Sequence, residues 1–285
     1  MKKTGWLIYY KNDAKRNHAF IDWMITEADS LGVTLKLLLR EDLVIGIRAN
    51  QPIIYYHGKT IDHPEFAIVR AINPRLNKQL EQLGIAVFNN SVVAEICNNK
   101  AKTHQYFLEY SIPMVDTLFF EPGAFELSKV PFEFPYILKE VKGRGGQQVY
   151  WINNAADLQP HNFLIQHHEI IIQKPAPVLG KDLRVFVIGS EIVGAVLRHS
   201  ETHFKANFTL GGDATLYSLS NEEMVLVQTI ISKLDFGFVG IDFLFDQDGK
   251  LLLNEIEDVV GSRTLSHVSS INVVRLYLEF ILKNI

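Results

Sequence analysis

Cysteine is almost missing from this chain: Cys97 stands alone among 285 residues. One thiol forms no intramolecular disulfide and assembles no cysteine zinc site. With no signal-peptide pattern either, the expected location is the reducing cytoplasm, and Cys97 is expected as a small buried hydrophobe. No apolar run approaches the roughly 18–20 residues that span a bilayer, so no membrane partner is expected. Excess positive charge is also lacking. Lys and Arg number 28 against 32 Asp and Glu, a net charge of −4, which leaves no global basic field to recruit nucleic acid. Histidines are present, but His161, His167, His168, His199, His203 and His267 show none of the spacings of a structural zinc site. There is no Gly-x-Ser-x-Gly elbow or Cys/His pattern for covalent catalysis, and no internal repeat.

What is there is an ordinary globular composition, 47% hydrophobic and 21% charged, in a chain long enough for two or three small domains. Gly5–Tyr10, Val33–Leu39, Ile53–Tyr56, Phe66–Arg70 and Ile85–Phe88 read as strands. Between them lie helical patterns over Asn17–Ser30 and Pro74–Leu83, which predicts an α/β layer with mostly parallel strands. Asn89-Asn90-Ser91 caps a helix reaching Asn98-Asn99, Lys100–Tyr110 reads as the next, and a first boundary is expected between residues 97 and 98. Trp6 and Trp23 are expected in the core. Arg70, ending a strand of such a layer, sits where ligands approach, although a capping or surface role serves it equally.

From Phe134 the character changes to hairpins. A strand to Lys139 and a returning strand over Val149–Asn153 enclose Gly143-Arg144-Gly145-Gly146. Such a loop can aim backbone N–H groups at phosphate oxygens, with Lys139 adding a point charge, though glycine clusters also mark plain turns. The apolar Ile170-Ile171-Ile172 runs through Gln173 and Lys174 into Pro175-Ala176-Pro177, a stiff hinge that places a second boundary between residues 174 and 175. Lys181–Ile188 and Glu191–Arg198 form a hairpin with Asp182 and Arg184 on one face. A loop over 205–213 precedes a helix over Asn221–Leu234 capped by Ser220, and a last helix covers Val273–Leu282.

Phe238–Phe245 and Lys250–Ile256 flank the turn Asp246-Gln247-Asp248-Gly249 and read as a further hairpin. Alternation puts Glu255 and Glu257 on one face, and Asp242 on the facing strand can join them. Carboxylates gathered among apolar residues repel one another unless a cation holds them, and hard oxygen ligands suit magnesium. The plainer alternative is an exposed acidic hairpin edge.

Taken in order, these pieces resemble the ATP-grasp enzymes, specifically the RimK-like branch of carboxylate–amine ligases. The likeness rests on Asn99-Lys100, Phe134-Pro135 to Lys139, Gly143–Gly146, Asp182-Leu183-Arg184, Phe204–Asn207 with Gly211-Gly212, Gly240-Ile241-Asp242 and Asn254-Glu255-Ile256-Glu257. It implies an N-terminal Rossmann-like α/β domain (1–97), a small central lid (98–174) and a C-terminal antiparallel-sheet domain (175–285), with ATP between the last two. By position, Lys100 and Lys139 are expected at the phosphates under the Gly143, Gly145 and Gly146 loop. Gln173, Lys174 and Ala176 are expected at adenine and Asp182 at ribose. Asp242, Glu255 and Glu257 are expected to hold Mg2+, with Mn2+ as an alternative. Arg184, Arg198 and Asn207 are expected at the transferring phosphoryl group, and Arg70, Lys205 and Arg263 at the substrate.

The resemblance implies ATP-dependent formation of an amide through an acyl phosphate, on an amino acid, a peptide or a protein terminus, and relatives of this kind often form homo-oligomers. Other classes remain open: a non-catalytic nucleotide-binding regulatory module, or a phosphotransferase of the same fold. The sequence departs from the family pattern at Glu257, commonly Asn, at Leu210, often Arg, and at Pro175, which has no N–H to offer adenine.

Overall fold

Hydrophobic runs separated by helical stretches form a parallel layer in the first part of the chain. The computed structural model describes residues 2–201, 203–205 and 213–285. It begins with β1 (Lys3–Tyr9), α1 (Lys11–Arg16), α2 (His18–Ser30), β2 (Val33–Leu39), β3 (Leu43–Arg48), β4 (Gln51–Tyr56), β5 (Lys59–Thr60), β6 (Phe66–Val69), α3 (Pro74–Gln82) and β7 (Ala86–Phe88). The order β2-β1-β6-β7 is parallel throughout, as crossover connections require. Ile53–Tyr56 is the exception to the expected layer. It lies within β4 of a separate antiparallel sheet, β3-β4-β5, because Ala49 and Asn50 take positive φ (49° and 61°) and turn the chain straight back on itself.

Two short helices come next, α4 (Ser91–Cys97) and α5 (Lys100–Leu108). Asn90 and Asn99 cap them, their side chains accepting from Val93 N and Lys102 N, which fixes Lys100 in the first turn of α5. The second layer holds β8 (Thr117–Phe120), β9 (Tyr136–Glu140), β10 (Val149–Ile152), α6 (Asn162–His167) and β11 (Ile170–Gln173). Its antiparallel order is β10-β9-β11-β8. The edge strand β8 was not expected, since Thr-Leu-Phe-Phe is too short for alternation to show.

The third layer is the sheet β14-β13-β12-β15-β16, built from β12 (Lys181–Ile188), β13 (Glu191–His199), β14 (Asp213–Leu216), β15 (Phe238–Phe245) and β16 (Leu251–Glu257). Between β14 and β15 lies α7 (Asn221–Ile231), started by a capping box of Ser220 with Glu223. The chain closes with α8 (Arg263–Val268) and α9 (Val273–Lys283).

Alternation along β12 buries both faces of this sheet. Val185 and Val187 face a core that includes Val239, Ile241, Phe243 and, from α4 and α5, Val93, Cys97 and Phe107. Phe186 and Ile188 face another, with Tyr277 and Ile281 of α9 and Leu7, Met24 and Phe66 of the first layer. At about 1.5–3 kcal/mol per buried side chain, the shared core fixes the parallel layer against the five-stranded sheet. The second layer has a core of its own around Tyr136, Leu138 and Ile172. Trp6 and Cys97 are buried as expected. Among the described residues no helix is long and apolar enough to cross a membrane.

Candidate active site

The hairpin β15–β16 carries the acidic side chains. Its register sets Asp242 opposite Glu255 and Gly240 opposite Glu257, with an irregularity after Asp242. Carboxylate oxygens of Asp242, Glu255 and Glu257 all lie within 4.8 Å of one another. The next strand, β12, pairs Arg184 with Asp242, and β13 pairs Arg198 with Asp182. Adjacent strands thus deliver two guanidinium groups to the same spot. Arg184 donates to both Asp242 oxygens, Nε to Oδ1 and Nη2 to Oδ2, at 2.6 Å each, and its Nη2 lies 3.1 Å from Glu257 Oε1. Arg198 donates to Asp242 Oδ2 at 2.9 Å and to Asp182 Oδ1.

Two lysines complete the array from other elements. Lys100 Nζ lies 3.0 Å from Glu255 Oε2, and Lys139 on β9 donates to Asn254 Oδ1 at 2.9 Å. Asp182, Asp242, Glu255 and Glu257 therefore stand against Lys100, Lys139, Arg184 and Arg198. The chain balances its own acidic cluster, contrary to the expectation that an outside cation is needed to hold it. Burial pushes Asp242 and Glu255 upward, but the arginines beside the first and Lys100 beside the second win, leaving both below the usual carboxylate range. Asp182 goes the other way: its burial outweighs Arg198 and raises it to about 6. Burial lowers Lys139 to about 8.

Two cavities meet this array. One of about 100 Å³ lies between the second and third layers and is lined by Lys100, Lys139, Gly143, Gly145, Gly146, Ala176, Asp182, Lys205 and Glu255, with apolar walls from Ile137, Val149 and Leu244. The other, about 650 Å³, opens toward the first layer past Glu257, Arg70, Arg144 and Arg263. Lys100 and Lys205 reach into the glycine loop, donating to Gly143 O at 2.5 Å and to Gly146 O at 2.8 Å.

Residues 97–281 match the family described as the RimK-like ATP-grasp domain. The chain belongs to this family. Among its relatives, a Mycoplasma pneumoniae protein known only as the MG012 homologue is 30% identical over 202 residues, 66% of this chain and 70% of that one. Human β-citrylglutamate synthase B is 26% identical over 263 residues, covering 86% and 68% of the two chains. In three dimensions the chain is similar to the RimK-domain ATP-grasp protein of Sphaerobacter thermophilus, with a TM-score of 0.72 at 17% identity over 98% and 99% of the two chains.

Within this ATP-grasp frame most of the expected site residues converge. Lys100, Lys139, Gly143, Gly145, Gly146, Ala176, Asp182 and Lys205 share the smaller cavity, and Glu255 stands at its wall. Arg184 and Arg198 are buried behind Asp242 and line neither cavity. The Gln173 side chain points away, donating to Thr117 Oγ1 at 2.8 Å. Lys174 pairs with Asp116 at 2.7 Å and donates its backbone N–H to Asp116 O, and since Pro175 has none, Ala176 holds the next N–H of the hinge. Arg70 is engaged already, with Tyr9 Oη at 3.2 Å and Val260 O at 2.8 Å. Arg263 makes a 3.4 Å contact with Asn17 Oδ1. Asn207 lies outside the described residues.

The sequence reading quoted Asn254 in a motif without giving it a role, and it missed His104. His104 donates through Nε2 to Asn254 O, 2.9 Å away, and its Nδ1 lies 3.3 Å from Thr117 Oγ1. It links α5, β8 and β16 at the floor of the site. Its place one helical turn after Lys100 was the available signal. The carboxylate oxygens of Asp242, Glu255 and Glu257, hard donors within 4.8 Å, fit a hard divalent cation.

Proposed function

We propose that this chain is an ATP-dependent ligase that joins a carboxylate to an amine through an acyl phosphate. The acid is an amino acid, a peptide or a protein terminus. One observation carries the reading: two lysines and three carboxylates, drawn from α5, β9, β15 and β16, gather between two cavities, with Lys100, Lys139 and Glu255 lining the smaller, Glu257 lining the larger and Asp242 buried beside them. The smaller cavity suits a nucleotide, with apolar walls for a base and Lys100 and Lys139 for phosphates. The larger, with Arg70, Arg144 and Arg263, suits an anionic acid.

In this arrangement a substrate carboxylate oxygen attacks the γ-phosphorus, ADP leaves, and the amine nitrogen then displaces phosphate from the acyl carbon. Phosphoryl transfer asks mainly for positioning and charge neutralisation. Lys100 and Lys139 bind and orient the phosphates, while Arg184 and Arg198 hold the carboxylate of Asp242 in place. Magnesium, held by Asp242, Glu255 and Glu257, neutralises phosphate oxygens when bound. As Lys100 turns to the phosphates it would release Glu255, whose oxygens could then serve a cation. The glycine loop excludes water from the acyl phosphate. Ala176 N–H serves the adenine, and a homo-oligomer in the cytoplasm is the working expectation.

The test is Mg2+-dependent ADP release from purified protein given pooled amino acids, dipeptides and acidic peptides, with mass spectrometry of products. A product lighter by one water than its two precursors is expected. ADP release with a stable phosphorylated product would instead make the chain a phosphotransferase. Nucleotide binding with no stimulation by any pool would favour a regulatory module.

A further inference from the structure

The run Asn89-Asn90-Ser91 offers two asparagines at the start of α4, but only Asn90 caps the helix. Asn89, 4% exposed, turns its amide the other way, out of the first layer and into the third. Its Oδ1 accepts from Gly237 N at 2.6 Å and from Phe238 N at 3.1 Å. Its Nδ2 donates to Phe238 O at 3.0 Å and to Asp258 O at 2.9 Å. Every hydrogen-bonding position of the amide is used, and all partners are backbone groups at the open end of the β15–β16 pair.

That end needs holding. The ladder between β15 and β16 stops at Gly240 and Glu257, and Phe238 and Asp258 lie beyond its last rung. An asparagine side chain has the donor and acceptor geometry of a peptide group, and Asn89 takes the place of a further rung. Gly237 permits the approach: a Cβ there would stand 2.7 Å from Asn89 Oδ1. The grip is anchored behind, since Asn77 Nδ2 donates to Asn89 O at 2.9 Å. Asp242 lies four residues beyond Phe238 and Glu257 immediately precedes Asp258, so the spacing of the carboxylates is set from the first layer.

We propose that Asn89 is a positioning residue for the Asp242, Glu255 and Glu257 cluster, fixing the separation of β15 and β16 so that a divalent cation finds its oxygens in register. The inference rests on the metal role given to those carboxylates above. Groups that orient metal ligands without touching the ion typically contribute about 10–100-fold in metal affinity.

The test is titration with Mn2+ in the presence of ADP, read by electron paramagnetic resonance, on Asn89→Ala, Asn89→Asp and Gly237→Ala. Asn89→Asp keeps the shape and the acceptor but loses both donations, so it separates hydrogen bonding from space filling. Gly237→Ala pushes the amide away without altering it. Expected is a loss of about tenfold in Mn2+ affinity in each, with ADP affinity in the absence of metal unchanged and the apparent Mg2+ activation constant raised in the same proportion. Ile68→Ala, which opens a cavity in the core of the parallel layer, serves as a control of comparable destabilisation and is expected to bind Mn2+ as the parent does. A folded Asn89→Ala or Gly237→Ala protein with parental Mn2+ affinity overturns the proposal and leaves the ligase reading standing. A parent protein that binds no Mn2+ with ADP overturns the metal reading itself, and this proposal with it.

Discussion

Replacing Asp242 with Asn exchanges one oxygen for an NH2 group, and the structure shows why this perturbs more than a candidate metal ligand. Asp242 is 2% exposed and accepts from Arg184 at 2.6 Å on each oxygen and from Arg198 at 2.9 Å. An asparagine Oδ1 can satisfy one side, but its NH2 then meets guanidinium donors it cannot pair. One or two charge-assisted bonds are lost at about 1.5–3 kcal/mol each, a sum of about 1.5–6 kcal/mol that brackets the roughly 3–5 kcal/mol of breaking a buried ion pair from one side, which we take as the working value. At roughly 2 °C per kcal/mol for a chain of this size, Tm falls by about 6–10 °C. Glu255→Gln removes a single pairing, with Lys100, at a partly exposed position, and costs up to about 1 kcal/mol, or roughly 2 °C. Thermal melts and ADP release on both variants check this. Both are expected to lose turnover, and only Asp242→Asn to lose several degrees more. Equal melting temperatures would refute the argument that Asp242 carries the two arginines. Glu255→Gln is therefore the cleaner catalytic control.

His104 supplies a test in stability. Burial holds its ring at about 4 against an ordinary value of 6.5, so the unfolded chain binds more protons between these values and stability falls as pH drops through them. The loss between pH 7 and 5 is about 2 kcal/mol, and His104→Leu should remove that part of the slope; identical urea-midpoint shifts in parent and variant would contradict it. Lys139, lowered to about 8 by burial, carries its charge below that pH and loses it above. The KM for ATP should rise with pH through about 8, and Lys139→Arg should flatten the profile. Unfolding does not mimic this effect, because a depressed lysine favours the native state as pH rises. Arg263→Ala should raise the KM for the acid about tenfold, about 1.4 kcal/mol, with ATP binding normal; an unchanged KM would remove Arg263 from the substrate.

Legibility followed the range of the physics involved. The hairpin bearing Asp242, Glu255 and Glu257 was readable because alternation is local and Asp246-Gln247-Asp248-Gly249 marks its turn. The parallel layer was readable in the same way. The β3–β4 hairpin was not, because its left-handed turn is made by Ala49-Asn50, which lacks the usual glycine signal. Nor could local pattern show that Arg184 and Arg198 spend their charge on Asp242, or that Arg70 is held by Val260 O 190 residues away. Such pairings depend on which strands become neighbours. Asn89 was read as part of a helix cap, since nothing in the sequence says which of two adjacent asparagines faces the helix.

Lys100 and Lys205 hold loop carbonyls across a cavity of about 100 Å³, well below the ~300–1,000 Å³ of typical ligand pockets. A nucleotide entering here contends with an internal rival that dilution never removes. The measured affinity is then the intrinsic one scaled by the fraction of molecules with the loop released. In a stopped-flow experiment the observed association rate would level off at the rate of loop release as nucleotide concentration rises, and trimming Lys205 would lift that ceiling.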